Sequence, residues 1–146
     1  MKIVSFGRYA GVMRELAHAV KEGDEEGIRY AARYYAAALP ENAAIVPMPS
    51  HMGRATTILA LADAIRDKRP DVKVCDCLAC EPHMSSYAQK QFGWTPEPPR
   101  MRLLSRPPRR RAFIIDNCAC SFATAGAATA LMPFATLMVL AVSHWR

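Results

Sequence analysis

Two short stretches combine the residue types that bind sugars and phosphates. In the first, the apolar run Ala112-Phe113-Ile114-Ile115 hands over to Asp116-Asn117, and Ser121-Phe122-Ala123-Thr124 follows after three more residues. A carboxylate and an amide at the end of an apolar strand can bond the vicinal hydroxyls of a ribose. The hydroxyls and backbone N–H groups of the next segment, where it opens a helix, make an anion site. Asp116 and Asn117 are therefore candidate catalytic residues, and Ser121 to Thr124 a candidate phosphate cradle. The second stretch is Pro49-Ser50-His51-Met52-Gly53-Arg54. Backbone amides around Gly53 and the Arg54 guanidinium could take two phosphate oxygens. Each stretch also has a plain reading: a helix-capping or turn pair for Asp116-Asn117, and a glycine turn with a solvated arginine for the other.

Sulfur and arginine offer rival chemistries. Cys75-x-Cys77-x-x-Cys80 with His83 nearby, and Cys118-x-Cys120, invite a zinc reading. Neither group has the paired C-x-x-C knuckles of a closed tetrahedral site, so no metal centre is expected from them. A cysteine nucleophile needs a partner imidazole, and among His18, His51, His83 and His144 the sequence singles out none. Arg100, Arg102, Arg106, Arg109, Arg110 and Arg111, preceded by Phe92 and Trp94, could meet nucleic-acid phosphates and stack bases. The preferred reading is a solvated loop leading into a strand, because a basic cluster is an electrostatic footprint and not a code.

The elements that must position these residues can be read from hydrophobic spacing. Val12, Met13, Leu16 and Val20 predict an amphipathic helix over Gly11 to Lys21. Asp24 is placed to cap a second helix with Glu25 and Glu26 at its positive end, burying Ile28, Ala31, Tyr35 and Leu39 before Pro40. A short strand is expected at Ala43 to Val46, a helix at Arg54 to Asp67, and a strand at Val72 to Cys77. A long proline-rich loop with one turn of helix should fill Glu81 to Pro108. Ala112 to Ile115 resumes as a strand, a small-residue helix runs to Met132, and Leu137 to Val142 is the last strand. Alternation of this kind implies right-handed crossovers and an α/β fold, with a mostly parallel central sheet flanked by helices.

The 146 residues suit one domain that buries roughly 70% of its unfolded surface. With 51% hydrophobic and 22% charged residues, a disordered solvating chain is excluded. A net charge of +6 favours anionic ligands. No Asp, Glu, Lys or Arg occurs from Asn117 to Trp145, behind an arginine-rich segment, as in a membrane span. Pro133 divides that run into a helix-prone half and a strand-prone half, so it reads as buried core and no membrane association is expected. The odd count of five cysteines and the lack of a signal-peptide pattern point to a cytoplasmic protein with reduced thiols. His144 and Trp145 read as terminal packing.

With these residues in place, the chain resembles the type I phosphoribosyltransferases, whose signature is an apolar strand, two acidic residues and a Thr-Gly-x-Thr-like phosphate loop. The resemblance extends to the ComF-like subgroup. Phe6 to His18 with Lys21 looks like that group's opening helix, Ile45-Val46-Pro47-Met48-Pro49 like its Val-Pro-x-Pro strand end, and Ser86-Tyr87-Ala88-Gln89 falls at its Gln-containing mobile loop. The resemblance implies displacement of pyrophosphate from phosphoribosyl pyrophosphate with Mg²⁺. Asp116 and Asn117 would hold the ribose, Ser121 to Thr124 the 5′-phosphate, and Ser50, His51, Met52, Gly53 and Arg54 the pyrophosphate, with Tyr87, Gln89 and Lys90 closing over the site. A homodimer is compatible with this reading. Two positions depart from the pattern: Asn117 stands where the family has its second acid, and Phe122 where it has glycine. A non-catalytic protein of the same fold that binds a nucleotide, single-stranded DNA or a protein partner is the alternative expectation.

Overall fold

The computed structural model describes residues 1–120 and 122–143. The chain runs β1 (Ile3–Arg8), α1 (Gly11–Glu22), α2 (Glu25–Ala38), β2 (Ala44–Pro47), α3 (Thr57–Lys68) and β3 (Lys73–Val74). It continues through β4 (Leu78–Cys80), α4 (Ser86–Gln91), β5 (Met101–Leu103), β6 (Ala112–Ala119), α5 (Ala123–Leu131) and β7 (Thr136–Val142). Five strands form one parallel sheet in the order β1-β7-β6-β2-β3. β4 and β5 form a separate antiparallel pair. The α/β class with a parallel sheet flanked by helices is the one the alternation of elements predicts.

Helices cover both faces, which is why the central strands read as continuous apolar runs. Phe113 and Ile115 of β6 and Met138 and Leu140 of β7 join Leu16, Val20, Tyr35, Leu61 and Ile65 beneath α1, α2 and α3. Ile114, Leu137 and Val139 face the other way, onto Ala125, Ala128 and Met132 of the α5 layer and Leu78 of β4. Each fully buried isoleucine or leucine contributes roughly 1.5–3 kcal/mol of transfer free energy. Asp24 caps α2 as expected, its carboxylate accepting the Gly27 N–H at 2.9 Å.

Several boundaries differ from the sequence-based expectation. Phe6, Gly7 and Arg8 lie in β1, paired with β7, and only the later part of the Phe6–His18 segment is helical. The buried stripe of α1 is Leu16, Ala17 and Val20, while Val12 is 68% exposed in its first turn. Arg54 lies in the turn ahead of α3. The strand expected over Val72 to Cys77 stops at Val74, and its neighbours Cys75 and Cys77 pack on the α5-side core. Within Glu81 to Pro108, β5 is a strand that flanking prolines hid. The apolar run after Asn117 is divided among the end of β6, α5 and β7, and no helix of the described residues is long and apolar enough to cross a membrane. His144 and Trp145 lie outside the described residues.

Candidate functional site

In a doubly wound sheet the ligand crevice forms where neighbouring strands send their crossovers in opposite directions. That pair here is β2 and β6. β2 leads through α3 outward to β3, and β6 leads through α5 on the opposite face to β7. A cleft of about 510 Å³ opens at their carboxyl ends. Its walls come from Pro49 and His51 after β2, from Asp116 to Cys120 of β6, from Phe122 and Thr124 at the start of α5, and from α1 and the α4 loop.

β6 is four residues longer than its apolar run, so Asp116 and Asn117 are strand residues at the sheet edge and not turn residues. Asp116 pairs with Val139 across the ladder, and its carbonyl accepts the buried Tyr35 hydroxyl at 2.6 Å. Its side chain accepts the Asn117 N–H at 2.8 Å. Burial pushes the Asp116 carboxyl up to about 7; the Asn117 N–H opposes this, the charge at Cys120 adds to it, and Lys21 opposes it. The Asn117 amide nitrogen donates to the Ala17 carbonyl of α1 at 3.1 Å. Of the two, Asp116 is therefore the side chain left to face a ligand with charge, while Asn117 joins β6 to α1.

The segment expected to cradle phosphate carries a conformation that its sequence disfavours. Phe122 has φ 62° and ψ 1°, the left-handed region, and precedes α5 directly. The backbone thus adopts at Phe122 the form for which glycine is suited, and the ring packs against the α5-side core while bordering the cleft. Thr124 lines the cleft and Ala123 opens α5. Ser121 lies outside the described residues.

The turn after β2 divides in two. His51 lines the cleft, its carbonyl accepts the His83 N–H at 2.9 Å, and the two rings stand 6.5 Å apart. Ser50, Met52, Gly53 and Arg54 do not border it. The Gly53 N–H donates to the Ser50 carbonyl, and Gly53 sits at φ 119° where a Cβ would approach the Cys80 carbonyl to 3.1 Å. Arg54 pairs with Asp76 at 3.0 Å. The α4 loop divides likewise. Tyr87 and Lys90 face the cleft, and Lys21 lies over the Tyr87 ring at 5.4 Å. Gln89 is buried, donating to the Met84 carbonyl and accepting the Glu97 N–H, so it holds the loop's own shape.

Sequence reasoning did not place Tyr9, Arg14, His18, Lys21, Cys118 or Cys120 in the site. The Tyr9 hydroxyl and the His18 Nε2 are 2.7 Å apart, and the Arg14 guanidinium lies over the Tyr9 ring. The amphipathic pattern over Gly11 to Lys21 predicts the helix that carries Arg14, His18 and Lys21, but nothing in it points to the cleft. None of the six clustered arginines lines the cleft: Arg100 borders a hollow with Trp94, Arg102 lies in β5, Arg106, Arg109 and Arg110 border another hollow with Cys75 and Cys77, and Arg111 lies over the Phe113 ring. Mg²⁺ requires several hard oxygens, usually carboxylates with substrate phosphates. Among the described residues the cleft offers the single carboxylate of Asp116, held partly protonated near neutral pH, beside an amide and two thiols. That donor set does not fit a resident Mg²⁺. Among the described residues no group of three His, Cys, Asp or Glu side chains is placed to hold a metal. No family model and no curated protein matches this chain.

Proposed function

We propose that this chain is a phosphoribosyltransferase-like protein that binds phosphoribosyl pyrophosphate or a nucleotide in the cleft between β2 and β6. The observation that carries the reading is the position of Asp116, a carboxylate delivered by the central strand to the crevice where the sheet's crossovers diverge. Asp116 would accept bonds from ribose hydroxyls. Thr124 and Ala123 at the opening of α5, with Ser121 just before them in sequence, would meet the 5′-phosphate, and Lys21 and Lys90 would supply positive charge. The Ser50 to Arg54 turn would reach pyrophosphate through His51, its cleft-lining member. Displacement of pyrophosphate is the reaction such a site would run, through positioning and exclusion of water under Tyr87 and Lys90. Mg²⁺ enters this reading only as part of the substrate, on the pyrophosphate oxygens, and no side chain is assigned to it. Binding without turnover is the second reading, favoured by the Phe122 ring at the cleft border, and it calls for retained affinity with no pyrophosphate release.

Calorimetric titration of wild type and Asp116→Ala, with phosphoribosyl pyrophosphate plus Mg²⁺ and with a nucleotide, tests the assignment. Loss of a hydrogen bond to a charged group should weaken binding by roughly 1.5–3 kcal/mol. Equal affinity in a folded Asp116→Ala protein would defeat it.

A further inference from the structure

The cleft holds two thiols that the phosphoribosyl reading does not use. Cys118 near the end of β6 and Cys120 just beyond it place their sulfurs 3.5 Å apart, sharing a hydrogen bond, and both border the cleft. A disulfide needs about 2.05 Å, so the side chains have only about 1.5 Å to close. We propose that Cys118 and Cys120 form a redox-active dithiol that exchanges with low-molecular-weight disulfides entering the cleft. The proposal is independent of sugar-phosphate binding.

The two sulfurs have different environments. Cys120 is held below the ordinary thiol range by the hydrogen bond it shares with Cys118, against the effect of burial, with help from the Ser143 hydroxyl and the charges of Lys90 and Lys21. Cys118 is held above it by the same shared bond, by burial, and by the charge of Asp116 and Cys120. Geometry divides the roles: Cys118 packs against the core beneath α1, whereas Cys120 lies past the end of β6 in the cleft that Lys21 and Lys90 also line, so Cys120 is the attacking thiolate and Cys118 the resolving thiol. The other three cysteines differ: burial pushes the thiols of Cys75, Cys77 and Cys80 up, and Cys80 donates to the Ser50 carbonyl.

The step balances as thiol–disulfide exchange. The Cys120 sulfur attacks one sulfur of the incoming disulfide, whose S–S bond breaks and releases one thiolate with the electron pair. Cys118 then attacks the Cys120 sulfur, its proton passing to a departing thiolate, and the second thiolate leaves. The protein dithiol loses two electrons and one proton, its other sulfur having started as thiolate, and the small disulfide becomes one thiol and one thiolate.

The sequence makes the test clean, because trypsin places Cys118 and Cys120 alone in the peptide of residues 112–146 and the other three cysteines in residues 74–90. Reduced full-length protein is incubated with oxidised glutathione at neutral pH, the remaining thiols are alkylated, and both peptides are weighed. The expected result is a 112–146 peptide lighter by two hydrogens, with residues 74–90 fully alkylated. Cys118→Ser should trap glutathione on Cys120, and Cys120→Ser should carry no adduct on Cys118. Should either variant fail to fold, timed alkylation of wild type decides: Cys120 should react at least about tenfold faster than Cys77 or Cys80. Oxidation confined to residues 74–90, glutathione persisting on wild type without closure, or Cys120 reacting no faster than Cys77 would overturn the proposal.

Discussion

Asp116 is under opposing demands, and the conflict has a measurable sign. An aspartate in the unfolded chain ionises near 3.9, while burial holds Asp116 protonated up to about 7 in the folded protein. The folded state therefore keeps a proton that the unfolded chain gives up, and stability falls as pH rises from about 4 to about 7. Above that window the full cost, a few kcal/mol at about 1.36 kcal/mol per pKa unit, is present. Asp116→Asn keeps the acceptor for the Asn117 N–H and removes the charge. It should raise the melting temperature at about pH 8 and change it little at about pH 4, and a gain larger at pH 4 would contradict this account. Ligand binding through the carboxylate has the opposite slope, tightening as pH rises through about 7. Phe122 is the second costly residue. Left-handed backbone at a non-glycine residue costs about 1–2 kcal/mol, which Phe122→Gly recovers while forfeiting ring contacts of similar size. Its unfolding free energy in denaturant should stay within about 1 kcal/mol of wild type; a loss of several kcal/mol would show that the ring is a core residue first.

At the scale of elements, the sequence was legible wherever a helix had one wet face or a strand was apolar throughout. It misled where polarity and structure part company. Asp116 and Asn117 end the apolar run of β6, yet the ladder continues to Ala119 because β7 lies alongside and supplies partners through Cys118 with Ala141 and Ala119 with Val142. β1 went unread because it is a partly buried edge strand that carries Gly7, whose absent Cβ leaves room for Met13. The site depends on both, since β6 extends the floor and α1, started by β1, brings Lys21 and His18 to the wall. The packing of α1 on α2 offers a test against propensity. Gly27 lies in α2 where Ala would ordinarily gain about 1 kcal/mol, but a Cβ there would meet the Ala19 Cβ at 2.6 Å and the capping Asp24 carboxylate at 3.0 Å. Overpacking of this kind costs about 1–3 kcal/mol, so Gly27→Ala should lower the unfolding free energy. A more stable variant would mean that the two helices separate with ease.

Across the whole molecule, the order β1-β7-β6-β2-β3 and the opposed crossovers on either side of the β2–β6 pair make one crevice the place for a ligand, and a net charge of +6 makes an anion the suitable kind. The class of fold was legible from the alternation of elements. Which members of the Ser50 to Arg54 turn face the cleft was not, because that depends on Arg54 finding Asp76 and Gly53 finding Cys80, contacts between segments distant in sequence. Titration calorimetry with phosphoribosyl pyrophosphate and Mg²⁺ on wild type, Phe122→Gly and Phe122→Gly/Asp116→Ala side by side decides whether Asp116 and the start of α5 form one binding site. Wild type should bind weakly, Phe122→Gly more tightly once the ring no longer borders the cleft, and the double variant should lose that gain with the carboxylate. Tight wild-type binding abolished in Phe122→Gly, or binding by the double variant equal to that of Phe122→Gly, would contradict a single site of this kind.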